Sequence, residues 1–586
     1  METISVKRII ENRYPDFSKK YPFPVRKLLI TFFERLIHQK EINSFLTKNG
    51  EKKNFEFIEE AFEHFDFTYI VSNKDVQKIP SEGRLIVVAN HPLGSFDGLA
   101  LLKAIGEIRR DVRIVANEIL QYLTPLSDLF IPFNIESTRI QRDYIIKMEE
   151  ALNNEECVIF FPGAEVSRLR IDGIKDPKWQ KGPLHFARKC SAPILPVFIK
   201  GRNSLLFYVV SIISKSFSRL LLPGEMFRQR GKSIEFKIGD YIPHRAFESD
   251  IIDIKTETKL LKKHVYKIGL NQKGIFKTER NIIFPVDRKL LKRELEKTTL
   301  LGRTKNGYGI YITDSDSAPS IIREITRLRE ITFRKVGEGT GNKADADSFD
   351  SHYKHIFIWD DNELDIIGAY RICTGESILK TKGINGLYSA TLFNYSEEFI
   401  NNYIPHSIEL GRSFVQKKYW NSSALDYLWM GIGAYLYHNP NIRYMFGPVS
   451  LSASFPDEVK EMIVYFYSKW FGIYGNEISA KNRYVLSAKT NEEMKQIFHS
   501  DNYHLDLKTL KTLIKTFGFS IPPLYKQYSE LCIDNGVKFF DFNIDTLFNN
   551  CIDGLILVEV NKIKEEKKER YIYNNRSVLD KIAVNM

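Results

Sequence analysis

Three short apolar runs, at 85–89, 158–161 and 193–199, set the pattern of the first half, and each breaks abruptly into polar residues. Runs this short, free of charge and bounded by Pro, Gly and Asn, predict strands buried on both faces. The first opens into Asn90-His91-Pro92-Leu93-Gly94-Ser95-Phe96-Asp97-Gly98 and the second into Pro162-Gly163-Ala164-Glu165-Val166-Ser167-Arg168, while the third follows a helix-like stretch at 182–190. Residues 234–238 alternate and predict a closing strand. Two further stretches are amphipathic or greasier. Residues 24–37 place their apolar side chains on one helical face, with Arg26, Lys27, Glu34 and Arg35 opposite, which suits a core-packed or an interfacial helix. Residues 205–222 are very apolar, but Lys215 and Arg219 oppose spanning, so the stretch is expected to lie in a membrane surface or wall an acyl-chain groove. Residues 250–303, rich in Lys, Glu and Thr, read as solvated helix and linker.

From about residue 300 the texture changes. Ile322, Ile325, Leu328 and Ile331 or Thr332 line one side of a helix over 321–334. Gly337-Glu338-Gly339-Thr340-Gly341 follows it; the loop lacks the Gly-Lys-Ser/Thr of a phosphate cradle and follows a helix instead of a strand, so a flexible lid is expected. Residues 355–359 and 366–372 predict a hairpin across Asp360-Asp361-Asn362-Glu363, 407–415 a long strand, and 425–437 a helix opening after Ser422-Ser423. The fold class is therefore α/β with two domains, 1–285 and 286–586, and no internal repeat relates them.

Composition adds bounds. A chain of 586 residues is too long for one core, and 43% hydrophobic with 13% aromatic residues excludes disorder. Cys157, Cys190, Cys373, Cys532 and Cys551 show neither metal nor disulfide spacing, so reduced buried thiols and no metal are expected. The start carries no secretory pattern, and no apolar run reaches the roughly 18 residues of a spanning helix. A net charge of +12 suits an anionic membrane surface or an acidic carrier protein; with no basic recognition module, nucleic acid is not an expected partner.

Acyl transfer to a hydroxyl needs a base near neutral pKa and an acid group to hold its tautomer. His91 and Asp97, with Pro92 and Gly94 shaping the backbone between them, can supply that pair; a structural contact is the alternative. The order of the loops speaks for chemistry. Strand and polar loop, strand and polar loop, then a strand containing Pro196 resembles the glycerolipid acyltransferase family, whose blocks are Asn-His-x4-Asp, a Phe-Pro-Glu-Gly-type loop and a Pro-containing strand. Two features depart from it: five residues separate His91 from Asp97, and the acid of the second loop comes late, at Glu165. Both are similar to the haemolysin-like, ornithine-lipid-type subfamily with Asn-His-Pro-Leu-Gly-x-x-Asp-Gly. The resemblance implies His91 and Asp97 as the catalytic pair and Asn90, Gly94, Glu165 and Arg168 around the substrate. It turns away from a phosphate-bearing acceptor.

Helix, paired strands, long strand and helix is the order of the GNAT N-acyltransferase fold. Arg327-Leu328-Arg329-Glu330, Phe349-Asp350, Gly368-Ala369-Tyr370-Arg371 and Glu409-Leu410-Gly411-Arg412-Ser413-Phe414-Val415 are similar to the N-acyltransferases that make lyso-ornithine lipid. More distantly they are similar to acyl-homoserine lactone synthases, which also take acyl chains from acyl carrier protein. The match continues through 521–526 and Asp541-Phe542-Asn543 to Asp553. Where the usual coenzyme A pyrophosphate loop belongs stands Trp420-Asn421-Ser422-Ser423-Ala424, which favours acyl carrier protein as the donor. An attacking amine must lose a proton, so Glu409 is the expected base, a buried ion pair being its alternative. Arg329, Arg371 and Arg412 stay charged and suit the binding of carboxylate or phosphate.

Fused in this order, the halves resemble the bifunctional ornithine lipid synthases. That implies N-acylation of ornithine by the second half, then O-acylation of the lyso-lipid's 3-hydroxyl by the first, with lysine or glycine as open alternatives to ornithine. It implies no cofactor and a peripheral place on the cytoplasmic face of the bacterial inner membrane. The other readings are a lysophospholipid acyltransferase with an accessory GNAT domain and a non-enzymatic, haemolysin-like membrane protein.

Overall fold

The computed structural model describes residues 5–8, 22–36, 38–94, 96–117, 120, 123–133, 138–171, 173–248, 252–473, 475, 477–533 and 535–573. The chain divides into two compact units, Met1–Asn281 and Ile282–Met586, four residues before the expected boundary at 285.

The first unit contains β1 (Thr68–Val71), β2 (Leu85–Ala89), β3 (Val112–Asn117), β4 (Phe130–Phe133), β5 (Cys157–Phe160), a small hairpin of β6 (Arg168–Arg170) and β7 (Gly173–Lys175), β8 (Ile194–Lys200) and β9 (Ser233–Ile238). Seven of these form one sheet in the order β1-β9-β8-β2-β5-β3-β4, parallel throughout except for β8 against β9. β2 is fully buried because both faces are covered. Leu85, Val87 and Ala89 join one core with the helices Asn54–His64 and Phe96–Gly106; Ile86 and Val88 join another with Thr138–Asn153, Gly182–Lys189 and Ile254–Gly269. The last helix corrects the expectation of solvated linker. Its Leu261, Val265 and His264 are buried, as is Glu257, which pairs with Arg188, while Lys255, Lys259 and Lys263 are exposed on the outer face.

The greasy 205–222 stretch is two helices, Leu205–Ile213 and Lys215–Phe227, broken at Ser214. Phe207 and Tyr208 pack with Val166, whereas Leu205, Leu206, Val209, Ile212 and Ile213 are exposed. Among the described residues, no helix is long and apolar enough to cross a membrane.

The second unit contains β10 (Thr299–Arg303), β11 (Gly309–Thr313), β12 (Lys354–Asp360), β13 (Asp365–Thr374), β14 (Phe393–Tyr395), β15 (Ser407–Val415), β16 (Tyr444–Leu451), β17 (Ile478–Ala480), β18 (Val537–Asp545) and β19 (Cys551–Glu559). Its main sheet runs β10-β11-β12-β13-β15-β16-β19-β18, and β14 pairs with β17 apart from it. Alternation along β12 again covers two faces. Ile356 and Ile358 pack with the helix Ala424–His438, and Phe357 and Trp359 with Pro319–Val336. β15 and β16 are the one parallel pair of this sheet, and they pair only from Ser407/Tyr444 to Glu409/Phe446. Beyond that point they part. Gly447 stands at the parting, where an added Cβ would lie 2.0 Å from the carbonyl oxygen of Leu410.

The expected lid is not free. Glu330 accepts hydrogen bonds from the backbone of Thr340 and Gly341 and from the Thr340 hydroxyl, which ties the 337–341 loop to the preceding helix.

Candidate acyl-transfer sites

In open α/β sheets, binding groups collect where the carboxyl ends of the strands open into loops. His91 and Asp97 stand there in the first unit, just past β2, and Asp97 lies in the first turn of the helix Phe96–Gly106. His91 Nδ1 is 3.0 Å from Asp97 Oδ2. That carboxylate is fixed from three sides, since Leu93 N and Gly94 N donate to Oδ2 and Gly98 N to Oδ1. Burial opposes a charged imidazole, but the Asp97 carboxylate outweighs it and raises the His91 pKa; burial likewise opposes ionisation of Asp97, and His91 with the backbone N–H groups holds it down. With Nδ1 on Asp97, the ring offers Nε2 to a substrate.

The loop between them has its own requirements. Gly94 has φ +89°, and a Cβ there would sit 2.4 Å from Val166 Cγ1, so glycine is needed on two counts. The Asn90 carboxamide is engaged within the sheet: it accepts from Ile199 N at 2.7 Å and donates to Ile199 O at 2.9 Å, locking the end of β2 to β8. Asp176, which sequence reasoning missed, accepts from His91 N, from Trp179 Nε1 and from the Ser167 hydroxyl. It joins the two polar loops, and a single Asp beside Pro177 offers no pattern that announces this. Arg168 donates to the Ser218 hydroxyl at 2.7 Å and lies 3.6 Å from Glu165, while its Nε and Nη2 have no hydrogen-bond partner among the described residues. Ser95 of the same loop lies outside the described residues.

In the second unit three arginines meet three aspartates. Arg329, fully buried, donates to Asp345 Oδ2 at 2.7 Å and to Asp350 Oδ2 at 2.9 Å. Arg371 donates to Asp347 Oδ1 at 2.6 Å and Asp350 Oδ1 at 3.0 Å. Arg412, at φ 49° beside a register shift between β13 and β15, lies between the rings of Tyr388 and Phe548 and 3.5 Å from Asp347. Arg329 and Arg371 are thus committed to holding the 345–350 segment against the helix and sheet. The sequence signal for this was present: Asp at 345, 347 and 350 are the counter-charges to the arginines singled out above.

Glu409 is held by hydrogen bonds from the 353 and 388–389 positions. Among the described residues it pairs with no arginine; Oε2 accepts from the Tyr353 hydroxyl and from Tyr388 N, and Oε1 from Ser389 N. Only 1% of the residue is exposed. Such a carboxylate anchors the 388–389 turn to β15 just before the strands part.

Residues 8–270 match the Acyltransferase family, and residues 328–430 match the Acetyltransferase (GNAT) domain. A glycine N(alpha)-acyltransferase of Bacteroides thetaiotaomicron is 36% identical over 303 residues, which is 50% of this chain and 89% of that protein. The chain belongs to the family of this N-acyltransferase. It is an acyltransferase with an N-terminal acyltransferase domain and a C-terminal GNAT domain. A second protein of the same organism, a lyso-glycine lipid O-acyltransferase, is 29% identical over 252 residues, 42% of this chain and 90% of its own. The solved structure of a CoA-dependent acyl-homoserine lactone synthase aligns at 11% identity over 45% of this chain and 95% of its own, with a TM-score of 0.23, too low to carry an argument. Two relatives with separate N- and O-acyltransferase names thus match a chain that holds both kinds of domain.

Proposed function

We propose that this acyltransferase builds a phosphorus-free aminolipid in two steps, N-acylating an amino acid in its GNAT half and O-acylating the lyso-lipid in its first half. The single observation behind this reading is the pairing, on one chain, of the His91–Asp97 dyad at the strand ends of one unit with a splayed GNAT sheet in the other. The relatives' names support an aminolipid; they name glycine, whereas ornithine is what the sequence resemblance implied.

In the O-acyl step His91 Nε2 takes the acceptor hydroxyl's proton as that oxygen attacks the acyl carbonyl carbon. Asp97 holds the tautomer and stabilises the imidazolium, which then returns the proton to the leaving group. In the N-acyl step the parted strands β15 and β16 leave backbone groups for an extended thioester, and a carboxylate takes the amine proton. A 3-hydroxyacyl carrier protein is the proposed donor: the chain is net basic at +12, and Trp420–Ala424 replaces the usual pyrophosphate loop.

Lipid extraction from cells expressing the chain tests the reading. A new phosphorus-free, diacylated amino-acid lipid supports it. The headgroup then shows itself chemically, because an ornithine or lysine lipid keeps a ninhydrin-positive amine and a glycine lipid does not. Extra phosphatidic acid, with no aminolipid, would favour the lysophospholipid reading.

The exposed faces support a peripheral place on an anionic bilayer. Leu206, Val209, Ile212 and Ile213 stand out from one helix and Phe23, Leu28 and Phe32 from another, with Arg35 and Arg228 lining a groove beside Phe32 and Leu206. Changing Ile212 and Ile213 together to Asp should move the chain from the membrane pellet to the soluble fraction with its unfolding temperature unchanged. Retention in the pellet, with the fold intact, counts against lipid contact there.

A further inference from the structure

The N-acyl step needs a carboxylate that can reach an amine, and Glu409 is spent on three donors. Glu338 is differently placed. It opens the 337–341 loop at the end of the helix Pro319–Val336, its backbone N–H closing onto Phe333 O. Its side chain crosses to β16, where Oε2 accepts from the Ser450 hydroxyl at 3.2 Å, beyond the point at which β15 and β16 part. Oε1 accepts no hydrogen bond from any described residue. Arg412 of β15 is the cation that acts on it, and Arg412 Nε, on a side chain nine-tenths buried and 3.6 Å from Asp345, has no hydrogen-bond partner among the described residues. Asp553 stands opposite Ser450 on the neighbouring strand β19, and Cys551, on the same strand, donates weakly to it.

We propose that Glu338 is the base that deprotonates the attacking amine in the GNAT half. The assignment rests on the reading of that half as an N-acyltransferase. The amino acid arrives as an ammonium ion. Glu338 takes one proton from it and passes that proton to solvent. The amine nitrogen forms the N–C bond to the thioester carbonyl carbon, the C–S bond breaks, and the departing thiolate takes the second amine proton as a thiol.

The environment suits the role. Burial, set against the Ser450 hydrogen bond and Arg412, leaves the Glu338 pKa raised to about 7. The other groups facing it are acidic or neutral: burial, with Asp545 and Glu338 nearby, raises the Asp553 pKa well above the usual carboxylate range, and burial likewise pushes up the Cys551 and Tyr525 side chains. A carboxylate near neutral pKa exchanges protons with an amine more readily than one held far below it. As pH rises through about 7 Glu338 ionises, so the N-acyl rate should rise over that range.

The test uses the purified full chain, a 3-hydroxyacyl carrier protein thioester, and two acceptors: glycine, protonated at pH 7, and hydroxylamine, already neutral there. Glu338→Gln should lower turnover with glycine by about 10²–10⁴-fold, the usual span for general base catalysis. It should keep most of the turnover with hydroxylamine above the uncatalysed rate, and it should lose the inflection near pH 7. Equal loss with both acceptors would show a structural role and overturn the assignment, as would wild-type turnover with glycine. Glu338→Asp, which shortens the reach but keeps the carboxylate, should recover part of the glycine rate. A wild-type chain that acylates neither amine overturns the N-acyltransferase reading and the base with it.

Discussion

His91→Ala should stop synthesis at the monoacylated product. On the proposed division of labour the N-acyl step lies in the other unit and should be unaffected, so lyso-lipid should accumulate while O-acylation falls by about 10²–10⁴-fold, the range for loss of a general base. The loss is not one of folding. Asp97 keeps its three backbone donors from Leu93, Gly94 and Gly98 without the imidazole, and the His91 side chain is partly exposed already. The pH dependence carries a further check. His91 acts as a base only when neutral, and Asp97 raises its pKa above the ordinary imidazole range. In wild type, O-acylation should therefore fall off at a higher pH than a free histidine would give, and Asp97→Asn should remove that shift along with most of the rate. Thin-layer separation of labelled lipids reads the outcome. Diacylated product in His91→Ala, or no lyso-lipid at all, would count against the division of labour.

The first site was legible because its parts are local. A buried strand, a turn and a helix bring His91 to Asp97 within seven residues, and glycine at 94 is demanded by a φ that the motif itself fixes. Asn90 lies in the same motif but is tied to Ile199, a partner 109 residues away that no short-range pattern reveals. The same limit explains Glu409 and Glu338. Both are single glutamates whose roles depend on which strands part and where, and β15 and β16 part because of a register that emerges only in the assembled sheet. Glycine spacing around Glu338 suggested mobility, but the loop is held by Glu330 from the preceding helix turn. The helix Ile254–Gly269 was obscured in another way: its many lysines and glutamates read as solvent-facing, while the buried stripe of Leu261, His264 and Val265 is narrow.

The largest loss of stability should come from Arg329→Met. Arg329 is fully buried and answers two carboxylates, Asp345 and Asp350; a methionine replaces the apolar stem but leaves those charges short of their partner. Removing one member of a buried ionic network costs about 3–5 kcal/mol, because the remaining charge stays desolvated. Arg371 still reaches Asp350, but Asp345 keeps only Arg412 at 3.6 Å. Denaturant titration of the full chain should show the transition of the GNAT unit moving to lower concentration while that of the first unit stays in place. Acid should act through the same cluster. Burial opposes ionisation of Asp350, but Arg329 and Arg371 hold its pKa far below the usual carboxylate range, so its stabilising contribution is complete above the unfolded value and is lost as pH falls toward the folded one. His355, buried 3.5 Å from Asp350, works in the same direction. Burial lowers its pKa to about 3, so below the ordinary imidazole value the unfolded chain gains a proton that the folded chain does not. The GNAT unit should therefore weaken on acidification from about pH 6.5 downward in wild type. In Arg329→Met part of the Asp350 contribution is already gone, so the drop attributable to that carboxylate should shrink. An Arg329→Met chain as stable as wild type at pH 7 would mean that the network is not what holds residues 345–350 in place.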